Sequence, residues 1–363
     1  MTAHASSLLG NAPSFLDTQV TSEVRNHIGY LTLNRAQGLN TLTLAMVRSL
    51  QGILDAWALD SHIHAVVLRG NGDKAFCAGG DIRALYDSHL QGSTHHVSFF
   101  QEEYALDLTL HRYRKPVLCV MHGYTLGGGM GLAQATDLRI VTDSSRLGMP
   151  EVAIGYFPDV GASYFLPRMA GELGIYLGVT GVQIEAADAL YCGLADWYLP
   201  PAQLALLDDR LDRISWSAMP LKDLQNVLSK LGVQVLPDAP LDRLRPAIDH
   251  FFSQPDIGSM IEQLHQVTVA DSHRWADGIA SLMETRSPLA MAVTLEMLRR
   301  GRGLSLEGCF DMEQHLGQQW FDHGDLVEGI RALLVDKDKL PKWRHASMAE
   351  LTEGQVQRFF AGL

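Results

Sequence analysis

The apolar positions of the chain change rhythm about midway along it. In the first half, short apolar runs alternate with helical periodicity. Residues 20–34 hold two strand-like stretches, with Ile28, Tyr30, Leu31 and Leu33 in the second and a turn near Asn26 and His27. After Thr43, the residues Leu44, Val47, Leu50, Leu54 and Trp57 recur every three or four positions, which predicts a helix. The runs at 65–68 and 117–121 are continuous and apolar, as in parallel strands buried on both faces. Residues 73–80 read as a loop, Asp81 as the cap of the helix after it, 97–113 as a longer helix and 138–141 as a further strand. This order suggests repeated ββα units rather than plain βαβ winding. Beyond residue 199 the strand signals stop. Helices are predicted over 202–216, 221–231, 241–252, 259–267, 287–300, 304–321 and 326–334, with Pro200, Pro201, Pro237 and Pro240 as punctuation. The chain reads as α/β, in two parts: a core over 14–199 and a helical region over 200–363.

Composition narrows the function classes. Hydrophobic residues make up 47% and charged residues 19% of the 363, enough to bury a large core. The net charge of −12 and the lack of a basic block argue against a nucleic-acid partner. Four cysteines, Cys77, Cys119, Cys192 and Cys309, are scattered without a CxxC, so neither a disulfide scaffold nor a zinc ribbon is expected and a reducing compartment fits. Residues 116–136 carry no formal charge, but five glycines, His122 and Gln134 mark them as a strand, a glycine loop and a helix start rather than a membrane span. No Lys or Arg precedes Arg25, so no targeting segment is readable, and the expectation is a cytoplasmic protein.

Three stretches are candidates for chemistry. The first, KAFCAGGDIR at 74–83, places Gly79 and Gly80 at a helix start, where backbone N–H groups can approach a ligand. The second, HGYTLGGGMG at 122–131, is again glycine-rich between a strand and a helix; its spacing fits neither a dinucleotide fingerprint nor a P-loop. Either alone reads as a tight turn. As a pair they can supply two converging N–H donors, the requirement for an oxyanion hole. The third, MPEVAIGYFPDVG at 149–161, carries Glu151 and Asp159 in an apolar setting, where desolvation raises a carboxyl pKa and suits it to acid, base or nucleophile work. Other features read as structural. Ser163, in GASYF, lacks the last glycine of a nucleophile elbow. His62, His64, His95 and His96 read as surface residues, and Phe99, Phe100 and Tyr104 as helix core.

Taken together, AFCAGGDIRALY, HGYTLGGGMGLA and LGMPEVAIGYFPDVGASYFLPRM resemble the crotonase (enoyl-CoA hydratase/isomerase) superfamily in order and spacing. Asp159, where hydratases usually carry glycine, and EGIRALLVDKDKLPKW at 328–343 are similar to the family's 3-hydroxyisobutyryl-CoA hydrolase branch. The resemblance runs from Ser14 to Trp343 and implies a spiral of ββα units binding acyl-CoA. It implies an oxyanion hole from the N–H groups of Gly80 and Gly128, with Glu151 and Asp159 catalytic and Glu103 binding the hydroxyacyl group beside Gly128, Glu151 and Asp159. The first of the two acids a hydratase needs falls on Gly131 and is missing. The lysine that the family often places near CoA phosphate is Gln37, leaving Arg35, Lys74, Asp81 and Arg83 as candidate CoA contacts.

The implied activity is hydrolysis of a short 3-hydroxyacyl-CoA, 3-hydroxyisobutyryl-CoA foremost, as in valine breakdown. Glu151 would act as nucleophile through a mixed anhydride or as base toward water. No metal, redox cofactor, nucleic acid or membrane partner is implied. The helical region is expected to cover the active site or to make homo-oligomer contacts. The alternatives are an enoyl-CoA hydratase or isomerase, and a non-catalytic CoA-binding or assembly subunit.

Overall fold

The computed structural model describes residues 18–232, 238–268 and 270–363. Strands β1 (Val20–Arg25) and β2 (Ile28–Leu33) form an antiparallel hairpin. Asn26 and His27, both at positive φ, make its two-residue turn, and those backbone angles match the twist of the flanking strands. Helix α1 (Leu44–Leu59) follows, capped by the Thr43 hydroxyl accepting from Met46 N. Then come β3 (Ala65–Gly70), β4 (Ala75–Cys77), α2 (Ile82–Leu90), α3 (His95–His111), β5 (Val117–Met121), β6 (Tyr124–Leu126), α4 (Gly128–Gln134), β7 (Leu138–Val141), β8 (Arg146–Gly148), α5 (Ala162–Phe165), α6 (Leu173–Thr180), β9 (Ile184–Glu185), α7 (Ala186–Tyr191) and β10 (Trp197–Tyr198).

The strands divide between two sheets in an alternating way. The larger sheet runs β1-β2-β3-β5-β7-β10, parallel after the first hairpin; the smaller runs β4-β6-β8-β9. Each of the pairs β3/β4, β5/β6 and β7/β8 therefore gives one strand to each sheet before the chain winds on, which is the expected spiral of ββα units. The corner between β5 and β6 is Gly123, at φ +58, where a methyl group would sit 2.1 Å from the Lys74 carbonyl oxygen.

Both faces of the larger sheet are covered. Ile28, Tyr30, Val67, Leu118 and Ile140 face one cluster, and Leu31, Leu33, Leu68, Cys119 and Val141 face the main core. This two-sided burial is why β3 and β5 read as unbroken apolar runs.

The remaining helices are α8 (Pro201–Leu204), α9 (Leu207–Leu211), α10 (Pro220–Leu231), α11 (Pro240–Phe251), α12 (Ile257–His265), α13 (Ala270–Glu284), α14 (Pro288–Gly301), α15 (Leu306–His323), α16 (Leu326–Ile330) and α17 (Glu353–Phe359). Helices α9 and α10 cover the second cluster through Leu207, Leu211, Leu224 and Leu228. The single helix expected over 202–216 is instead two short ones. The second ends early because the Asn26 amide donates to the carbonyls of Leu211 and Ile214. The sequence pattern carries no signal for helices α5, α6, α7, α13 and α17 or for strands β4, β6, β8, β9 and β10. Those strands are two or three residues long, too short for a period of two to register. Among the described residues no helix is long and apolar enough to cross a membrane.

Helix α15 ties the C-terminal half to the core. Trp320 is fully buried, donates its indole N–H to the Gly155 carbonyl at 2.7 Å and packs edge-on against Phe157. Trp320→Ala should lower unfolding free energy by about 3–5 kcal/mol in a denaturant titration; a loss below ~1 kcal/mol would mean that α15 is not anchored through this ring.

Candidate active site

The two glycine corners meet. A methyl group on Gly79 would lie 3.7 Å from the Gly128 nitrogen, so the loop before α2 touches the start of α4. Gly127 turns at φ +51, ψ −121, a conformation open in practice only to glycine. Gly129 packs so closely on β4 that a methyl group would stand 2.2 Å from the Cys77 carbonyl oxygen. Gly128, at the first position of α4, has no helical acceptor for its N–H. Neither that N–H nor that of Gly80 has a partner among the described residues.

Two carboxyls flank this turn. On α3, Glu103 points inward and is 2% exposed, while its neighbour Glu102 points out to a bidentate ion pair with Arg48. Glu103 Oε1 would lie 2.4 Å from a methyl group on Gly128, and Glu151 Oε1 2.7 Å from one on Gly127. Glu151 sits on a short 3-10 helix, Glu151–Ile154. Glu103 Oε1 and Glu151 Oε2 are buried without hydrogen-bond partners. Asp159 follows on a buried loop, and its Oδ2 accepts from the Tyr104 hydroxyl at 2.6 Å. The structure thus brings Glu103, Glu151, Gly80 and Gly128 together, with Asp159 alongside.

The candidate CoA contacts lie outside this group. Arg35 pairs with Asp81 at 2.7 Å, and Asp81 also caps α2 by accepting from Ala84 N. Arg83 pairs with Asp87 on the exposed side of α2. Lys74 lines a cleft of about 190 Å³ with Gln37, Asn71 and Asp73.

Sequence reasoning missed four residues here. Tyr104, expected as plain helix core, carries the hydroxyl that holds Asp159. Asp107, one turn after Glu103, is fully buried, and neither of its oxygens has a partner. Tyr156 stacks on Phe157, and its hydroxyl stands with that of Tyr104 beside Gly317. Glu313, from α15, is fully buried and bonded to the loop after Asp159. The available signal was an acid on an otherwise apolar helix stripe: Asp107 among Phe99, Leu106 and Leu110, and Glu313 among Phe310, Leu316 and Trp320. Of the histidines expected at the surface, His96 is half-buried, held by Ser88 and packed on Phe321, beside a cavity of about 170 Å³ that Phe100 and Tyr104 also line.

Five buried carboxyls, Glu103, Asp107, Glu151, Asp159 and Glu313, have no buried Lys, Arg or His among the described residues to balance them. Burial, then the charges of Asp159, Asp107 and Glu151, push Glu103 well above the usual carboxylate range. Burial and then Asp159 do the same to Glu151. For Asp107 the causes are burial, then Asp159 and Glu313. Burial raises Asp159 too, while the hydrogen bond from Tyr104 opposes it.

A carboxyl raised in the folded state binds its proton more tightly there than in the unfolded chain. It leaves stability untouched below the unfolded pKa and lowers it as pH rises toward the folded pKa. Asp107→Asn should therefore unfold like the parent near pH 4 and be more stable by roughly 1–3 kcal/mol at pH 8, read as melting temperature against pH. Equal stability at pH 8 would mean that Asp107 is not a desolvated, unpartnered acid.

Comparison with known proteins places this geometry. The family model described as enoyl-CoA hydratase/isomerase matches residues 28–360. A 3-hydroxyisobutyryl-CoA hydrolase of Danio rerio is 35% identical over 95% of this chain and 90% of its own length. The Homo sapiens protein of the same name is 34% identical over 95% and 89%. Both names carry the qualifier mitochondrial, which overturns the expectation of a cytoplasmic protein; the segment on which that expectation rested begins in residues outside those described. Among solved structures, a carnitinyl-CoA dehydratase from Mycobacterium thermoresistibile superposes with a TM-score of 0.86 at 36% identity, covering 95% of this chain and 97% of that one. An enoyl-CoA hydratase from Rhodobacter sphaeroides 2.4.1 superposes with a TM-score of 0.85 at 32% identity, covering 95% and 98%. The paired sheets, the meeting glycine corners and these matches agree: the chain belongs to the enoyl-CoA hydratase/isomerase family, the crotonases.

Proposed function

We propose that the protein hydrolyses a short 3-hydroxyacyl-CoA thioester, 3-hydroxyisobutyryl-CoA foremost, to the hydroxy acid and CoA, as in valine breakdown. The observation that carries this reading is the turn at Gly127 and Gly128, with Glu151 and Glu103 against adjacent glycines and two unpartnered N–H groups beside them. The relatives named 3-hydroxyisobutyryl-CoA hydrolase support the substrate.

The Gly80 and Gly128 N–H groups would donate to the thioester oxygen and stabilise the charge that develops on it. Such donors are each worth about 10²–10³ in turnover. Glu151 in its ionised form either attacks the carbonyl carbon, expelling CoA thiolate and leaving a mixed anhydride for water to open, or takes a proton from the water that attacks directly. Asp159, oriented by Tyr104, would hold the substrate hydroxyl or that water and tune Glu151. Glu103 would accept from the hydroxyl. The CoA phosphates would be met by Lys74 and by what the Arg35–Asp81 and Arg83–Asp87 pairs leave free. The region 200–363 would act as the cover of a site built in the core 14–199, since α15 reaches Asp159's loop.

A hydro-lyase reading draws support from the names of the two solved relatives. Against it stands Gly131, the position of the missing hydratase acid. Any side chain there would begin 2.5 Å from Val160 Cβ and 2.9 Å from Asp107 Oδ2. The site has no room for the second acid.

Incubation with 3-hydroxyisobutyryl-CoA should release free CoA without hydration or dehydration of the acyl group. Glu151→Gln should reduce that release by at least about 10³-fold, with CoA binding within about threefold of the parent. Near-normal turnover in the variant would remove Glu151 from the reaction. Label found in the Glu151 carboxylate after a single turnover in ¹⁸O water favours the anhydride; unlabelled carboxylate favours direct water attack.

A further inference from the structure

The loop that carries Asp159 is unusual for its backbone. Val160, β-branched, stands at φ +53, a left-handed conformation rarely adopted by such residues, and Gly161 follows at φ +88. The helix that follows this turn, α5, has four residues. A turn of this kind persists only where its surroundings over-determine it.

The surroundings come from 150 residues further along the chain. Midway along the 18-residue α15, Glu313 accepts from Gly161 N through Oε2 at 2.8 Å. Its Oε1 accepts from Ser163 N at 2.9 Å and from the Ser163 hydroxyl at 2.5 Å. All three residues are buried. Phe310, one turn earlier on α15, closes the other side, 3.2 Å from where a methyl group on Gly161 would lie. Within the turn, Ala162 N donates back to the Asp159 carbonyl. Ser163, whose setting resembles a nucleophile elbow, is buried and has its hydroxyl engaged by Glu313.

We propose that Glu313 is a positioning residue for Asp159: its carboxyl clamps the Gly161 and Ser163 amides, locks the left-handed turn at Val160, and so fixes the direction of the Asp159 carboxyl toward Tyr104 and the substrate. Glu313 touches no reacting atom. The clamp makes α15 a part of the catalytic geometry. The catalytic half of the proposal rests on the thioesterase reading above; the clamp itself does not.

The test compares Glu313→Gln and Ser163→Ala with the parent protein. In Glu313→Gln an NH₂ group replaces one oxygen and faces an N–H donor, so the clamp must open on one side. A misplacement on the order of 1 Å costs up to about 10² in rate. The expected result is a kcat lower by about 10- to 100-fold on 3-hydroxyisobutyryl-CoA, a KM within about threefold, and amides of Gly161 and Ser163 that exchange at least about tenfold faster by mass spectrometry. Ser163→Ala keeps both amide bonds and should lower kcat by about three- to tenfold at unchanged KM; it serves as the test if Glu313→Gln does not fold. A folded Glu313→Gln variant with faster amide exchange and kcat within twofold of the parent overturns the positioning role, as does an unchanged kcat in Ser163→Ala. Absence of hydrolysis by the parent protein refutes the thioesterase reading instead. Amide exchange then judges the clamp alone, and unaltered exchange in Glu313→Gln overturns it.

Discussion

Five carboxyl groups share one buried region with no buried cation among the described residues to neutralise them, and the rest of the site is arranged around that constraint. A buried charge without a partner is among the most unfavourable features a fold can hold, so such groups retain protons, accept hydrogen bonds or wait for a ligand. The structure uses all three. Asp159 takes the Tyr104 hydroxyl. Glu313 takes two amides and a hydroxyl. Burial nevertheless pushes Glu313 up to about 8. Glu103 Oε1 and Glu151 Oε2 are left without partners, and both groups lie against the glycine turn where a substrate would dock. The unpaired oxygens are those a hydroxyacyl group can satisfy. With interacting acids this close, the protons belong to the cluster rather than to single residues.

The spiral fold is what lets that cluster assemble. From β3 to β8 each unit sends one strand to each sheet, and the turn from its second strand into the helix is where the backbone exposes its N–H groups. The corners at Gly79–Gly80 and Gly127–Gly129 meet because β4 and β6 are neighbours in the smaller sheet. A methyl group at Gly129 would strike the Cys77 carbonyl, so the approach of α4 to β4 and the direction of the Gly128 N–H are set together. The acids arrive from three other directions: α3, the segment that follows β8, and α15. The crowding at Gly131 by Val160 and Asp107 leaves no room for a further acid at that position, so the side chains of the site rather than the fold set what chemistry it can do.

The larger sheet was legible in the sequence because its strands are covered on both faces, so residues such as Val66–Val67 and Leu118–Cys119 form continuous apolar runs. The smaller sheet was not, because strands of three residues carry no period; Ala75–Cys77 and Tyr124–Leu126 read as loops beside their glycines. The glycine corners and Glu151 stood out because their motif is compact in sequence. Tyr104 did not: a buried tyrosine on an apolar helix face is indistinguishable from core until its hydroxyl is seen to meet an acid 55 residues away. Glu313 was hidden by distance along the chain. Nothing local says that an acid on α15 closes on a turn 150 residues earlier.

The central claim is that Glu103, unpartnered beside the glycine turn, and Asp159 read a hydroxyl on the acyl group. It is tested most directly by comparing kcat/KM for 3-hydroxyisobutyryl-CoA and isobutyryl-CoA, two thioesters that differ in that hydroxyl alone. A site built to hydrogen-bond a hydroxyl can reject its absence by as much as ~10⁴–10⁵, whereas an apolar pocket that lost one methylene would discriminate by only about 10–200-fold. The account predicts a ratio above about 10³ in favour of the hydroxylated thioester. Equal values for the two would contradict it and leave Glu103 and Asp159 without a role in recognition.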